Sequence, residues 1–483
     1  MNNINPNSNS STQQSQQKNS YEKQCKQWIS TEFSSADFGD QRLTNRFLSL
    51  LQLFSASPSA SIPQAANYLK EVKGIYRFFN NEKVTQDNIL KPHQQATATR
   101  ISEHKTVLCI QDTSTLNYTH LKETKGLGTI STEPELRGML LHTTMAITPD
   151  RVPLGIIHQQ TLIRPPEEYG KKHDRKNKDI EEKESQKWIN SLLAMAQLQK
   201  KIPDCVLINI GDREADIYEM FESAILYNCQ ILIRAAQDRR VDHPEKYLWA
   251  FLENQPISTT LEVLVPRKNN KKERTATVEL RFTAVTLNPP ANKPDSKPIS
   301  LYAIYLNEPN PPKMDEPLSW LLLTTLPVLS LEDALLYTDF YAARFSIEIF
   351  HKILKSGCNI EEHQFKSAEA LKRCLAVDSI VAWRIMFLTM LGRSLPDIPC
   401  TVILEDYEYK ALFCFINKTK QPPITPLSLQ EAVLLIAKLG GFLNRKRDGH
   451  PGVQVIWCGL KRLSDISSAW LSFGPIQNKV NTQ

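Results

Sequence analysis

The stretch "CVLINIGDREADIYEMFESAILYN", residues 205–228, decides the fold. It opens as an unbroken apolar run, turns at a Gly-Asp pair, and continues with apolar residues at helical spacing. A short β-branched run bounded by a turn reads as a buried strand, and the segment after it as a helix. "CQILIRAA" (229–236) then supplies a further strand, so strand, crossover and strand follow in the order of an α/β sheet. Upstream, "TVLCIQDTS" (106–114) is another apolar run that ends in an acid. "LRGMLLHTTMAI" (136–147) and "VPLGIIHQQTLI" (152–163) read as two more strands, joined by a turn at "TPDR". The charged run 164–185 reads as a solvated loop leading into a helix whose buried face carries Trp188, Leu192, Met195 and Ala196.

Outside this core the pattern changes. Residues 21–100 read as helices, with "RLTNRFLSLLQLF" (42–54) broken from the next segment by the Pro/Ser-rich "SASPSASIP" (55–63). Residues 255–330 turn to β: a hairpin with a basic tip, a Pro-rich loop and two further strands form an expected insertion into the α/β domain. From 331 onward the chain reads as mostly helical, ending in a helix pair around 426–472. The expected layout is a disordered tail over 1–20, a helical region over 21–100, an α/β domain over 101–395 and a helical C-terminal region over 396–483.

The chain has 483 residues, 41% hydrophobic and 23% charged, the balance of a soluble globular protein. A net charge of +6 favours a polyanionic partner only weakly. The nine cysteines are scattered and contain no C-x-x-C pair, so neither a disulfide framework nor a zinc site is expected, and a reducing interior is. The Asn/Ser/Gln-rich N-terminus lacks the apolar core of a signal peptide. The longest apolar passages, near 320–331 and 378–392, are interrupted by Pro327 and Arg384, so no membrane span is expected.

Chemistry gathers at three places. Asp112 and Asp212 each end an apolar strand, where α/β sheets usually build their sites, although either could simply cap the following turn. The third is "YTDFYAARFSIEIFHKILKSG" (337–357), read as one helix. At 100° per residue its polar residues Tyr341, Arg344, Glu348 and Lys355 fall within one arc of about 60°. Apolar side chains, Phe345 and Phe350 among them, occupy much of the remaining circumference, which predicts a buried helix with one polar stripe. A buried carboxylate needs cations beside it, and two Asp with one Glu make an all-oxygen site suited to Mg²⁺ or Mn²⁺.

These residues resemble a known family. "YAARFSIEIFHKILKSG" matches the Y-x(2)-R-x(3)-E-x(6)-K signature of bacterial DDE transposases of the insertion-sequence-4 family, on Tyr341, Arg344, Glu348 and Lys355. "CIQDTSTLNYTH" is similar to the segment of the first catalytic Asp, here Asp112, and "GDREAD" to that of the second, here Asp212. "DFGDQRLTNRF" and "GIYRFFNNEKVT" resemble the DNA-recognition region of the transposon-5 branch, and "IAKLGGFLNRKRDGHPG" its dimerisation region.

The resemblance implies a ribonuclease-H-like core with a β-rich insertion, flanked by a helical DNA-binding domain and a helical dimerisation region. It implies cut-and-paste transposition of DNA with Asp112, Asp212 and Glu348 as catalytic residues holding two Mg²⁺ ions, which Mn²⁺ may replace. Inverted terminal repeats and target DNA would be the substrates of a homodimer, in the cytoplasm of a bacterium. Tyr341, Arg344 and Lys355 would handle phosphates. Trp320 matches the aromatic on which this branch stacks a flipped base, and Arg213, Arg234, Arg42 and Arg46 are further expected DNA contacts. Two other readings stand beside this one: a stand-alone metal-dependent nuclease, and a DNA-binding regulator or inhibitor that no longer cuts.

Overall fold

The computed structural model describes residues 28–473 apart from Asn67, 166–178, 266–272 and Met314. The expected tail over 1–20, the hairpin's basic tip and most of the charged loop lie outside the described residues. The chain is a mixed α/β protein built on one ten-stranded sheet with helices on both faces.

Five helices come first: α1 (Trp28–Glu32), α2 (Gln41–Ala56), α3 (Ile62–Ala65), α4 (Leu69–Phe79) and α5 (Gln86–Ile101). Asp40 caps α2 by accepting from the Arg42 amide, and Thr85 caps α5 through Asn88, satisfying amides that a helix start leaves free. Strands β1 (Thr106–Asn117), β3 (Arg137–Ile147) and β4 (Pro153–Leu162) form an antiparallel meander, with the two-residue β2 (Gly128–Thr129) also against β3. Helix α6 (Gln186–Lys201) then crosses to β5 (Val206–Gly211), and α7 (Tyr218–Leu226) to β6 (Gln230–Arg234). β5 runs parallel to both β1 and β6, as crossover helices require.

After α8 (Leu248–Glu253), strands β7 (Thr259–Val265), β8 (Arg274–Leu287), β9 (Ile299–Asn307) and β10 (Ser319–Thr324) form the expected β-rich segment. It continues the same sheet, because β10 pairs antiparallel with β6 through Leu322 and Arg234. The sheet order is β2-β3-β1-β5-β6-β10-β9-β8-β7, with β4 also on β3.

Successive strand residues point to opposite faces. On β1, Val107 and Cys109 join the layer beneath α6 and α7, while Leu108 and Ile110 join the larger layer beneath the remaining helices. That larger layer is organised by α11 (Ala368–Ser394), which is apolar nearly all round and buried along most of its length. Such a helix belongs at the centre of a core. It packs against α2, α4 and α5 on one side and α13 (Leu429–Leu439) and α14 (Val453–Phe473) on the other, with α12 (Asp406–Asn417) beyond.

The segment expected as one helix over 337–357 is broken. α9 (Leu331–Ala343) ends at Arg344, α10 covers Ser346–Lys352, and a π-helical turn covers Ile353–Gly357. At the first break the amides of Arg344, Phe345, Ile347 and Glu348 each bond three residues back, tightening the chain.

Candidate active site

Strand register brings the two aspartates together. β1 and β5 pair in parallel with Ile110 opposite Ile210. Two residues further on both strands reach an aspartate, and alternation turns Asp112 and Asp212 to the face of Ile110 and Ile210, the side on which α10 packs. Asp112 accepts from the Thr113 amide at 2.8 Å. Asp212 caps a short 3-10 turn over 213–215 through the Glu214 amide, so its capping role is real, and it also faces Asp112 and Arg344 electrostatically.

Arg344 links this pair to Glu348. Its Nη2 donates to Glu348 Oε1 at 3.1 Å, and its Nη1 stands 3.7 Å from Asp112 Oδ2 with no hydrogen-bond partner of its own. Arg344 and Asp112 are largely covered, with side-chain exposures of 15% and 20%, whereas Glu348 is 47% exposed. Burial pushes the Asp112 carboxyl up to about 6; the Thr113 amide and Arg344 oppose this, and Asp212 and Glu348 add to it.

The stripe survives the broken helix, but not as one even arc. Tyr341 is buried and meets Trp320 edge-on, ring centroids 5.1 Å apart. Lys355 sits on the π turn and donates from Nζ to the Thr115 carbonyl at 2.5 Å, tying that turn to β1. Phe345, expected in the core, is 61% exposed beside the site, because the tightened turn at 344–348 rotates it outward.

Beneath the carboxylates lie residues that sequence reasoning did not single out. His351 is buried, with Nδ1 3.9 Å from Asp112 Oδ2 and Nε2 without a hydrogen-bond partner. Burial, aided by Lys355 and Arg344, pushes its imidazole down to about 3, so it is neutral. Its spacing of three from Glu348 was the available signal. On the opposite face of β1, Gln111 donates to Asn209 and accepts from His142 Nε2 at 3.0 Å, while His142 Nδ1 and Thr113 Oγ1 are 2.9 Å apart. This buried network ties the central parts of β1, β3 and β5 together.

The expected DNA contacts divide. Trp320 is half-buried on β10, with the Arg234 guanidinium 6.0 Å from its ring. Arg234 also donates to the Ser319 carbonyl at 2.8 Å, which braces it within the site. Arg213 is exposed one residue past Asp212. Arg42 and Arg46 are exposed on α2, far along the chain, with Arg42 paired to Asp40 and Arg46 lying against Gly74.

The donor set suits a hard divalent cation: three carboxylates, no sulfur, and an Asp112 raised chiefly by burial and further by the other two carboxylates. Arg344 is the cation that now spans two of them.

This arrangement defines a carboxylate-centred α/β site with a cationic and aromatic rim. Two family models match the chain: Transposase DNA-binding over residues 25–84, and Transposase Tn5 dimerisation domain over residues 380–469. A solved piggyBac transposase synaptic complex with hairpin DNA aligns with 78% of this chain and 73% of its own, at 9% identity and a TM-score of 0.34. With a transposase DNA-binding segment near one end and a transposase dimerisation segment near the other, the chain is similar to Tn5-like transposases of the insertion-sequence-4 family.

Proposed function

We propose that this transposase moves DNA by cut and paste, with Asp112, Asp212 and Glu348 as its catalytic carboxylates on a ribonuclease-H-like core. The observation that carries the reading is the meeting of Asp112 on β1 and Asp212 just after β5 with the signature segment through Arg344. An antiparallel meander followed by two parallel strands, in the order β4-β3-β1-β5-β6, supports the core assignment. The three carboxylates would hold two Mg²⁺ or Mn²⁺ ions, which when bound supply Lewis-acid activation of a phosphodiester and of its attacking oxygen.

The chain's own groups do the rest. Asp112 is oriented by the Thr113 amide and flanked by neutral His351. Arg344 and Lys355 place positive charge where a scissile phosphate would lie, and Trp320 with Tyr341 offers an aromatic wall to an unstacked base at a transposon end. Water would first cleave a strand at the transposon boundary, freeing a 3′-OH that attacks a second phosphate in line, on the opposite strand or on target DNA. Positioning and charge stabilisation supply most of the rate. The residues 25–84 would recognise the inverted repeats, and 380–469 would pair two copies on paired ends.

The test is cleavage of the element's own end DNA. Asp112→Ala, Asp212→Ala and Glu348→Ala should each abolish nicking at the boundary and leave end binding intact. Full cleavage by any of them, or cleavage without a divalent ion, overturns the reading.

A further inference from the structure

A second cluster of metal-type donors lies away from the carboxylate site. Cys374 and Asp378 stand one turn apart on α11, and His363 reaches them from the loop that follows the π turn. His363 Nε2 is 3.0 Å from Asp378 Oδ2, and Cys374 Sγ is 3.5 Å from the same oxygen. All three donor atoms lie within 4.8 Å of one another, and all three residues are buried. Around a tetrahedral zinc with ordinary bond lengths, N···O and S···O edges are about 3.4 and 3.6 Å. The cluster is therefore close to a preformed ligand triangle.

We propose that His363, Cys374 and Asp378 bind a structural Zn²⁺ ion. Scattered cysteines without C-x-x-C spacing gave no hint of such a site, because the fold and not the spacing assembles it. Charge favours it: a thiolate, a carboxylate and a neutral imidazole cancel a divalent cation within a dry pocket, the Cys374 proton leaving to solvent. Sulfur and imidazole select Zn²⁺ over the hard cations suited to three carboxylates. Without a metal, His363 Nε2 pairs with Asp378 Oδ2 at 3.0 Å, and this carboxylate outweighs burial to raise the imidazole pKa, so a bound zinc would take the place of the imidazole proton.

The location gives the ion a task. The loop that carries His363 also holds the far end of β1: Ile360 accepts from the Tyr118 hydroxyl at 3.1 Å, and Glu361 accepts from the Asn117 amide at 2.6 Å. Phe54 of α2 stacks on the His363 ring, centroids 6.0 Å apart. One ion would thus clamp the N-terminal helices, the end of β1 and α11 together.

The site is independent of the carboxylate assignment, and its test is built to keep the two apart. The full chain, purified without chelator, should carry about one zinc per chain by elemental analysis. The Asp112→Ala/Asp212→Ala/Glu348→Ala triple variant should retain it, while Cys374→Ser and His363→Gln should lose it. Replacing zinc by Co²⁺ should produce a sulfur-to-metal charge-transfer band in the wild type and the triple variant, which a carboxylate site cannot generate. If Cys374→Ser does not fold, the wild-type and triple-variant arms decide alone. Absence of zinc together with absence of the cobalt band overturns the proposal, as does a folded Cys374→Ser that keeps its zinc.

Discussion

The Arg344 guanidinium stands 3.7 Å from the Asp112 carboxylate, with Nη1 facing it and bonded to nothing. The contact is too long for a hydrogen bond, so the pair is held by charge alone. Arg344 spends its good bond on Glu348. Replacing Arg344 with Lys keeps a positive charge but loses the fork that reaches both carboxylates. We expect end cleavage to fall by roughly tenfold or more, with end binding much less affected, in parallel cleavage and gel-shift assays.

Asp112 should also set the acid limb of the reaction. Its carboxyl is raised from 3.8 to about 6, chiefly by burial. Below that pH it is protonated and cannot serve as a ligand, so cleavage should fall as pH drops through about 6. Raising the divalent-ion concentration favours the ionised form and should move this limb to lower pH. A limb that ignores metal concentration would assign it elsewhere.

The same shift predicts a trade between stability and activity. A raised folded-state value means that protonation stabilises the fold, fully below the unfolded value of 3.8 and no longer above about 6. At pH 8 the ionised carboxylate therefore costs stability. Asp112→Asn should be inactive yet more stable, by up to about 3 kcal/mol, in a thermal or denaturant melt at that pH.

The N-terminal helices are tied to the core by a buried ion network. Glu32 of α1 meets Arg100 of α5 at 2.5 Å and His93 at 2.5 Å, under the ring of Trp383 from α11. Burial alone would raise the Glu32 carboxyl, but Arg100 and His93 outweigh it and hold it at about 2. Its contribution to stability is complete above the unfolded value of 4.5 and is lost as pH falls toward 2. Glu32→Ala leaves Arg100 buried and unpaired, which should cost about 3–5 kcal/mol in a melt near pH 7.

Two helices in the dimerisation segment touch backbone to backbone. A Cβ on Gly459 of α14 would lie 1.9 Å from the Ile436 carbonyl oxygen of α13, a clash that no side-chain movement relieves. Gly459→Ala should force the pair apart, destabilising the protein by about 1–3 kcal/mol. Sedimentation should show weakened self-association if this pair supports the dimer.

The features legible in the sequence are those that depend on local pattern. The two aspartates were visible because apolar runs stop at Asp112 and Asp212, but only Asp212 follows the end of its strand; β1 continues past Asp112 to Asn117, because pairing with β3 extends the strand beyond its apolar run. The single helix over 337–357 was not borne out, because helical periodicity cannot foresee a tightened turn or a π turn that leaves the same residues apolar. Phe345 was misplaced for that reason. His351, Gln111, His142 and Asn209 were missed because each matters through partners far away in the chain.

One property of the sheet carries further. Trp320 lies on β10, which is hydrogen-bonded to β6, which is bonded to β5, the strand that Asp212 follows. On the proposed reading, the surface that receives a displaced base and the two aspartates are mounted on one stiff plate. The interval between them is fixed by the spacing of strands and owes nothing to loop motion. The enzyme would then locate its cut as a gauge does, by a built-in distance from the base it holds.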